Sequence, residues 1–180
     1  MYGIVNQSIQ DLVTENFGAD TWQKIKKKSK VQHDSFLNNE TYDDSITYEL
    51  AGATAEVLGI SVYDVLVTFG EYWVLKTGKE KYGALMKSGG ANLEQFLTNL
   101  PNFHSRVMLM YPNLTPPEFK VSDIKEKQLH LHYYSQREGL MGFVIGLIQG
   151  LGKLFETEVT VNLIENKDNG ADHDIFEVKW

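Results

Sequence analysis

Residues 129–137, Leu-His-Leu-His-Tyr-Tyr-Ser-Gln-Arg, mark the point where the sequence changes from a helical to an extended pattern. Apolar and polar side chains alternate here with a period of two, which is typical of a strand with one buried face. Similar alternation predicts further strands over 119–121, 159–163 and 176–180. The C-terminal part of the chain is therefore expected to contain a mostly antiparallel sheet of four strands.

The residues before this sheet are predicted to be helical. Apolar side chains recur every three to four positions over the segments 4–17, 45–58, 61–76, 80–87 and 92–111. A short helix is expected over 20–28 with Asp20 as its N-cap, and Ser61 with Asp64 resembles a capping box. Pro101 is expected to kink the last of these helices or to begin a second one, since it has no backbone N–H to donate.

A Gly-rich helix over about 139–155 is predicted between the second and third strands. Because helices come first and strands follow, the whole chain is expected to be a single α+β domain over residues 1–180. Its N-terminal helical lobe is expected to cover about 1–111, and its mixed helix and sheet part about 112–180.

The composition limits the classes of function. The 180 residues carry 17 Lys and Arg against 24 Asp and Glu, a formal net charge of −7, which argues against nucleic acid or an anionic membrane as partner. The absence of cysteine excludes disulfides, iron–sulfur clusters and a cysteine nucleophile. No export signal or membrane-spanning stretch is found, nor a P-loop, Rossmann fingerprint or nucleophile elbow. We expect a cytoplasmic protein.

His104 is the first candidate functional residue. It lies four residues after Leu100 and four before Met108, on the apolar stripe of its helix. One interpretation is a core histidine with a hydrogen-bond partner. The other is an axial iron ligand, because a single imidazole in an apolar pocket is what a haem site requires. If Pro101 begins the helix, the nearby positive end favours the neutral, ligating imidazole.

Tyr133, Ser135 and Arg137 form the second candidate site. In an extended strand they share the face that carries Leu129 and Leu131, which should be the buried one. Two hydroxyls and a guanidinium at the end of an apolar face need an acceptor, and together they suit a carboxylate. The alternative is that the strand ends at Ser135 and Arg137 reaches water.

Two weaker patterns have structural explanations. Gly142, Gly146 and Gly150 lie four residues apart on one helix face, which favours close packing of this helix on the sheet over the approach of a flat ligand. His130 and His132 share the opposite strand face as a metal pair could. Because the sequence identifies no third ligand, a solvent-facing strand side is the preferred interpretation.

Two charged segments are also interpreted structurally. Residues 172–174, Asp-His-Asp, are predicted to form a turn entering the last strand. The segment 24–30 carries five lysines and is predicted to be a solvated helix edge, with a patch for an acidic partner as the alternative.

Taken together, these residues resemble the haem nitric oxide/oxygen-binding (H-NOX) domain family, which is related to the haem domain of soluble guanylate cyclase. The resemblance extends over essentially all 180 residues. It rests on segments 1–3 (Met-Tyr-Gly), 69–73 (Phe-Gly-Glu-Tyr-Trp), 102–106 (Asn-Phe-His-Ser-Arg), 115–117 (Thr-Pro-Pro), 133–137 (Tyr-x-Ser-x-Arg), 146–148 (Gly-Leu-Ile) and 170–173 (Gly-Ala-Asp-His).

The resemblance implies a haem b cofactor, protoporphyrin IX iron, between the two lobes. His104 is then the proximal iron ligand, and Tyr133, Ser135 and Arg137 hold the haem propionates. In this family the second proline of the connector presses on the porphyrin and distorts it, and that residue is Pro117 here.

The resemblance also bears on which gas is bound. Oxygen-binding members have a distal tyrosine that donates a hydrogen bond to the ligand, and the matching position here is Phe143 or Gly142. Neither side chain can donate, so nitric oxide and carbon monoxide are expected as ligands and oxygen is expected to be excluded. Trp73 matches a distal-wall position, and its indole N–H can donate, so an oxygen-binding haem sensor is the alternative.

The resemblance implies a non-enzymatic sensor that signals through changes at the Fe–His104 bond. The chain ends near its last strand, so we expect the signal to pass to a separate histidine kinase or cyclic-di-nucleotide enzyme. One alternative is a haem- or metal-dependent enzyme that uses His130 or His132. Another is a cofactor-free module in which Tyr133, Ser135 and Arg137 bind a carboxylate ligand.

Overall fold

A computed structural model of the protein describes residues 1–111 and 113–180. The helices in this part of the chain are α1 (Gly3–Phe17), α2 (Ala19–Ser29), α3 (Asp44–Leu58), α4 (Val62–Tyr72), α5 (Lys79–Gly89), α6 (Leu93–Thr98), α7 (Leu100–Met110) and α8 (Met141–Leu154). The strands are β1 (Glu118–Lys125), β2 (Gln128–Tyr134), β3 (Thr160–Glu165) and β4 (Asp174–Lys179). The predicted α+β fold class is confirmed.

The chain divides into two compact units, Met1–Phe69 and Gly70–Trp180. In the first unit, α1 packs against α2 and α3 through fully buried side chains such as Ile9, Ile25 and Leu50. α1 ends at Gly18, as the sequence predicts.

The predicted N-cap of α2 is wrong. The cap is Gly18, where φ is 85°, and Asp20 lies inside the first helical turn instead. Gly18 reverses the chain so soon after α1 that α2 begins immediately, leaving no extended residue at position 20. The Asp20 carboxylate still stabilises the helix from there, because the first turn carries the positive end of the helix dipole.

The helix that begins after Ser61 is longer than predicted. The predicted cap at Ser61 is confirmed, since its hydroxyl accepts from the Asp64 backbone N–H (3.0 Å), but the Asp64 carboxylate accepts from that same hydroxyl (2.6 Å) instead of from the Ser61 backbone N–H of a full capping box. However, α4 continues through a π-helical segment, Trp73–Gly78, directly into α5. The expected end before Gly78 is therefore wrong. Gly78 keeps helical angles there, and a Cβ on it would lie only 3.0 Å from the Trp73 carbonyl oxygen.

Pro101 begins a second helix, which is one of the two outcomes that the sequence allows. α6 starts at Leu93 after the Asn92 side chain, which accepts from the Gln95 backbone N–H (2.9 Å). After α6 ends, α7 starts at Leu100 and holds Pro101 in its first turn, where a missing N–H costs little.

The four strands form one antiparallel sheet in the order β1-β2-β4-β3. On β2, Leu129, Leu131 and Tyr133 are buried and alternate with half-buried residues, as the period of two predicts. Leu131 lies opposite Val121 on β1 and Phe176 on β4. These pairs place the core of the sheet on the face that carries Tyr133.

α8 packs against the chain at the end of α4. A Cβ on Gly70 would lie 2.3 Å from the Phe143 carbonyl oxygen, and a Cβ on Gly150 would lie 2.9 Å from Val74 Cβ. Gly146 and Gly150 thus serve close packing, as predicted, but they meet the segment 70–74 of another helix rather than the sheet.

Within residues 1–111 and 113–180, no single helix has the length and apolar character needed to cross a membrane. One bent pair, Asp44–Leu58 with Val62–Gly89, passes that test by length and composition only when its two helices are taken together.

Candidate functional site

His104 lies on the second turn of α7 among aromatic rings. Its imidazole stacks on Phe119 of β1, with ring centroids 5.5 Å apart and planes at 24°, and meets the edge of Phe103 at 5.8 Å. Its Nδ1 atom is buried and has no hydrogen-bond partner among the described residues. The interpretation of His104 as a core histidine with a partner is therefore not supported.

Burial keeps this imidazole neutral. It lowers the pKa of His104 to about 4, because the charged form would lose its hydration in an apolar setting. At neutral pH the ring therefore carries a free lone pair on one nitrogen. This is the form in which histidine binds a metal.

Tyr133 is joined to His104 through Phe119. The Phe119 and Tyr133 rings are 5.3 Å apart, since these two residues are register partners on β1 and β2. The four rings of Phe103, His104, Phe119 and Tyr133 thus form one row, which α7 and two strands contribute. The sequence pattern places Phe119 on a buried face but does not reveal its position in this row, because strand register is a long-range property.

Ser135 and Arg137 follow β2, which ends at Tyr134, so the extended pattern does not reach them as first expected. They nevertheless stay next to Tyr133. The Ser135 hydroxyl accepts from the Arg137 backbone N–H (3.0 Å), and the Arg137 Nη1 donates to the Thr115 carbonyl oxygen (3.3 Å). Arg137 is half-buried, so it does not simply reach water.

Electrostatics tie these three side chains together. Burial raises the pKa of the Tyr133 hydroxyl, while its hydrogen bond with Ser135 and the charge of Arg137 act in the opposite direction. Tyr133 therefore remains a hydroxyl donor at neutral pH. The Lys167 ammonium also approaches, donating to the Ser135 carbonyl oxygen (2.8 Å), which no sequence signal indicated.

Pro117 is half-buried in the connector directly before β1, close in sequence to Thr115, which receives the Arg137 bond. The candidate site offers a neutral imidazole whose Nδ1 has no partner among the described residues, aromatic surfaces, and hydroxyl and guanidinium donors. A flat apolar group that carries carboxylates and a metal fits this set of donors. The residues present therefore fit haem.

The distal candidates lie on two elements, the π-helical segment and α8. Trp73 begins the π-helical segment and is half-buried, as is Phe143, whereas Gly142 is buried. The backbone of Gly70 closely approaches that of Phe143, so the segment 70–74 and α8 are in contact. Neither Gly142 nor Phe143 brings a side-chain hydrogen-bond donor, while Trp73 brings an indole N–H.

The secondary candidates have structural roles. His132 hydrogen-bonds with Ser122 and with His173, both at 2.8 Å, rather than pairing with His130 around a metal. Among the described residues, no group of three or more His, Cys, Asp or Glu side chains could hold a metal ion. The enzyme hypothesis that rested on His130 or His132 binding a metal thus has no support.

The two charged segments behave as predicted. Lys26 pairs with Asp34 (2.5 Å) and Lys28 with Glu56 (2.6 Å), as on a solvated helix edge. A turn precedes β4, which begins at Asp174.

Comparison with known proteins identifies the family. A family model described as Haem-NO-binding matches residues 2–163. Soluble guanylate cyclase gcy-31 of Caenorhabditis elegans is 28% identical over 182 residues, covering 100% of this chain and 26% of its own length. Soluble guanylate cyclase 89Da of Drosophila melanogaster is 25% identical over 170 residues, covering 94% of this chain and 26% of its own length. The chain spans about a quarter of the length of these curated relatives.

Solved structures show the same fold. The H-NOX protein from S. oneidensis in the Fe(II)NO ligation state has a TM-score of 0.89 at 19% identity, covering 99% of this chain and 98% of that chain. The Fe(II) unliganded H-NOX protein from K. algicida has a TM-score of 0.87 at 23% identity, covering 99% and 96%. The predicted haem cofactor is confirmed through the family. The chain belongs to the haem-NO-binding family and is a haem-binding gas-sensor domain of the H-NOX type.

Proposed function

We propose that this domain binds nitric oxide and carbon monoxide at a ferrous haem held by His104, excludes oxygen, and passes the signal to a separate protein. The observation that carries this proposal is the buried Nδ1 of His104, which has no hydrogen-bond partner among the described residues. A buried nitrogen without a partner costs free energy, so the fold retains it at a position where something else is to be bound.

Haem, when bound, supplies an iron atom that takes the gas. His104 supplies the neutral lone pair that holds this iron, since burial suppresses the competing proton. Arg137 and the hydroxyls of Tyr133 and Ser135 supply donors for the propionates. Arg137 would give up a 3.3 Å bond to the Thr115 carbonyl for a carboxylate, and a charge-assisted bond is roughly twice as strong as a neutral one.

The exclusion of oxygen rests on Phe143 and Gly142. Oxygen is held well only where a donor faces its polar outer atom, and these two side chains have none. A missing hydrogen bond costs about 1–3 kcal/mol, or roughly ten- to a hundredfold in affinity. Nitric oxide and carbon monoxide carry little charge on the outer atom and lose less.

Signalling is proposed to pass through α7. His104 stacks on β1, and α7 also packs against α5, so a change in what His104 holds moves the helix against both neighbours. The C-terminal end of α7 exposes Leu109 (84%) and Met110 (58%), an apolar surface that a partner can cover. Such a switch requires that the gas bind the two states with different affinity. By the resemblance, the partner is a histidine kinase or a cyclic-di-nucleotide enzyme.

The test of this function is the visible absorption spectrum of the reduced protein, first without gas, then in air, then with nitric oxide. We expect a haem absorption band whose wavelength is unchanged in air and shifts when nitric oxide is added. A stable oxygen complex would overturn the gas assignment and favour Trp73 as donor, in which case Trp73→Phe should abolish it. A protein that takes up no haem would refute the proposal and leave the carboxylate-binding module.

The ligand assignment has its own test, His104→Gly with and without added imidazole. Haem coordination should be lost without imidazole and return with it. The control is His33→Gly, which changes an exposed histidine outside the row of rings. A normal haem spectrum in the His104 variant without imidazole would show that another residue is the ligand.

A further inference from the structure

Five side chains form a continuous hydrogen-bond chain, in which Ser122, His132 and His173 are half-buried and the two aspartates at the ends are exposed. The Ser122 hydroxyl contacts Asp123 Oδ2 and His132 Nε2, both at 2.8 Å. His132 Nδ1 contacts His173 Nε2 at 2.8 Å, and His173 Nδ1 contacts Asp172 Oδ2 at 3.1 Å. This chain of four contacts joins β1 and β2 to the loop between β3 and β4. No residue in it belongs to the candidate haem site.

The number of hydrogens decides the charge of this chain. Each of the four contacts needs one hydrogen. The carboxylates at its two ends, Asp123 and Asp172, have none to give. Ser122 has one, and two neutral histidines have one each, which makes three for four contacts. All four become hydrogen bonds only when one proton is added to the histidine pair.

The added proton can sit on either ring. With Ser122 donating to Asp123, His132 Nε2–H must donate to Ser122. The contact between the rings is then satisfied whether His132 donates to His173 or the reverse, while His173 Nδ1–H donates to Asp172. A second added proton would set two N–H groups against each other at 2.8 Å and break that contact. The pair therefore accepts one proton and rejects the next.

The surroundings bias where this proton lies. The titratable and charged groups that face the pair are Lys120 and Asp123 of β1, His130 and Tyr134 of β2, Glu165 of β3, and Asp172 of the loop, while β4 presents Ile175 opposite His132. Lys120 is paired with Glu118 (2.9 Å). Burial first, then the neighbouring His173, lower the pKa of His132. His132 is therefore the ring that holds the proton less readily, while His173 contacts the Asp172 carboxylate and stacks on Tyr134 with ring centroids 3.9 Å apart.

We propose that His132 and His173 form a binding site for a single shared proton, which completes the chain from Asp123 to Asp172 and anchors the β3–β4 loop to the sheet. Above the pH at which this proton leaves, one contact has no hydrogen. Below the pH at which a second proton binds, the two rings repel. The loop is therefore held most firmly in the window between these two steps.

The loop also reaches the candidate haem site. Lys167 donates its backbone N–H to Asp174 Oδ1 (2.8 Å) and its ammonium to the Ser135 carbonyl oxygen (2.8 Å). Loss of the shared proton removes a hydrogen bond that fixes the loop at His173, and the hydrogen bond from Lys167 to the Ser135 carbonyl oxygen becomes weaker as a result. This last step rests on the proposed function, because it affects a ligand only if Ser135 binds a haem propionate. The shared proton itself does not depend on that function.

The test is the protonation state of the histidine rings, measured by long-range ¹H–¹⁵N correlation NMR against pH on the purified protein. As the pH falls, the pair is expected to take up one added proton first and to bind a second only at a clearly lower pH. Ser122→Ala removes both contacts of the hydroxyl without changing any charge. The two contacts that remain, His132 with His173 and His173 with Asp172, can be satisfied by the hydrogens of two neutral histidines. The midpoint of the first protonation should fall by about half to one pH unit, the equivalent of one hydrogen bond.

Ser122→Thr is the matched control, because it retains the hydroxyl and should retain the wild-type midpoint. Amide hydrogen exchange at 170–173, corrected for the intrinsic rate, should be slowest in the window with one proton. Uptake of both protons in a single step in the wild type, or equal midpoints in Ser122→Ala and Ser122→Thr, would overturn the proposal. Because neither readout uses gas binding, a failure here is distinguishable from a failure of the gas-sensing function.

Discussion

Replacing Gly70 with alanine is expected to force α8 away from the segment 70–74. The new Cβ would lie 2.3 Å from the Phe143 carbonyl oxygen, 2.7 Å from the Leu147 backbone nitrogen and 2.9 Å from the Gly146 carbonyl carbon. All three atoms belong to the backbone of one helix, so no side chain can rotate to relieve the contact. The two helices must separate by at least about 0.7 Å for the shortest distance to reach 3.0 Å.

The cost of this separation can be compared with the gain in helix propensity. Overpacking of a filled interface costs about 1–3 kcal/mol, and alanine in place of a helical glycine returns about 0.5–1 kcal/mol. We expect a net loss of about 1–2 kcal/mol in the free energy of unfolding. For a domain of this size that corresponds to a fall of about 2–8 °C in Tm.

Gly83→Ala is the matched control, since Gly83 lies in α5 and its Cβ would meet nothing within 4 Å. This variant should gain about 0.5–1 kcal/mol. Urea unfolding monitored by circular dichroism gives both values. If Gly70→Ala is as stable as Gly83→Ala, the close approach of α8 to the segment 70–74 is not a constraint on the protein, and the reasoning fails.

Two further predictions concern the candidate haem site. Arg137→Ala should speed haem transfer to apomyoglobin several-fold, whereas Arg106→Ala, which removes a bond to Ser88 instead, should not; equal rates would mean that Arg137 holds no propionate. Burial lowers the pKa of His104 from 6.5 to about 4, so between these values the unfolded chain binds a proton that the folded chain does not. The free energy of unfolding of the haem-free protein should therefore decrease as the pH falls through that window, by up to about 3 kcal/mol. In His104→Phe the free energy of unfolding should depend less on pH over the same range. An unchanged pH dependence in this variant would show that His104 is already charged in the folded protein.

Sequence patterns predicted correctly those helices, caps and strands that depend on interactions between residues close together in the chain. The apolar stripe of α1, the Ser61–Asp64 cap and the alternation of Leu129 and Leu131 each depend on a few neighbouring residues, and each is confirmed. The position of the α2 cap was wrong because Gly18 turns the chain earlier than composition indicates.

The site was harder to predict because it depends on register and loop geometry. The apolar stripe of α7 marked His104 as a candidate, but the row that joins it to Tyr133 needs Phe119 opposite Tyr133 across two strands. Ser135 and Arg137 meet Tyr133 through a turn rather than through the extended strand that was expected. The bond from Lys167 to Ser135 crosses 32 positions of sequence and leaves no local pattern.

The π-helical segment Trp73–Gly78 has a consequence for the length of this part of the chain. A π-helical turn holds about one residue more than an α-helical turn, so the segment stores a surplus residue between α4 and α5. Deleting one residue there would convert the segment to α-helix and keep both flanking helices continuous, whereas a deletion inside α4 or α5 would rotate every later side chain by about 100°. Relatives of different length are therefore expected to differ by single insertions or deletions within 73–78.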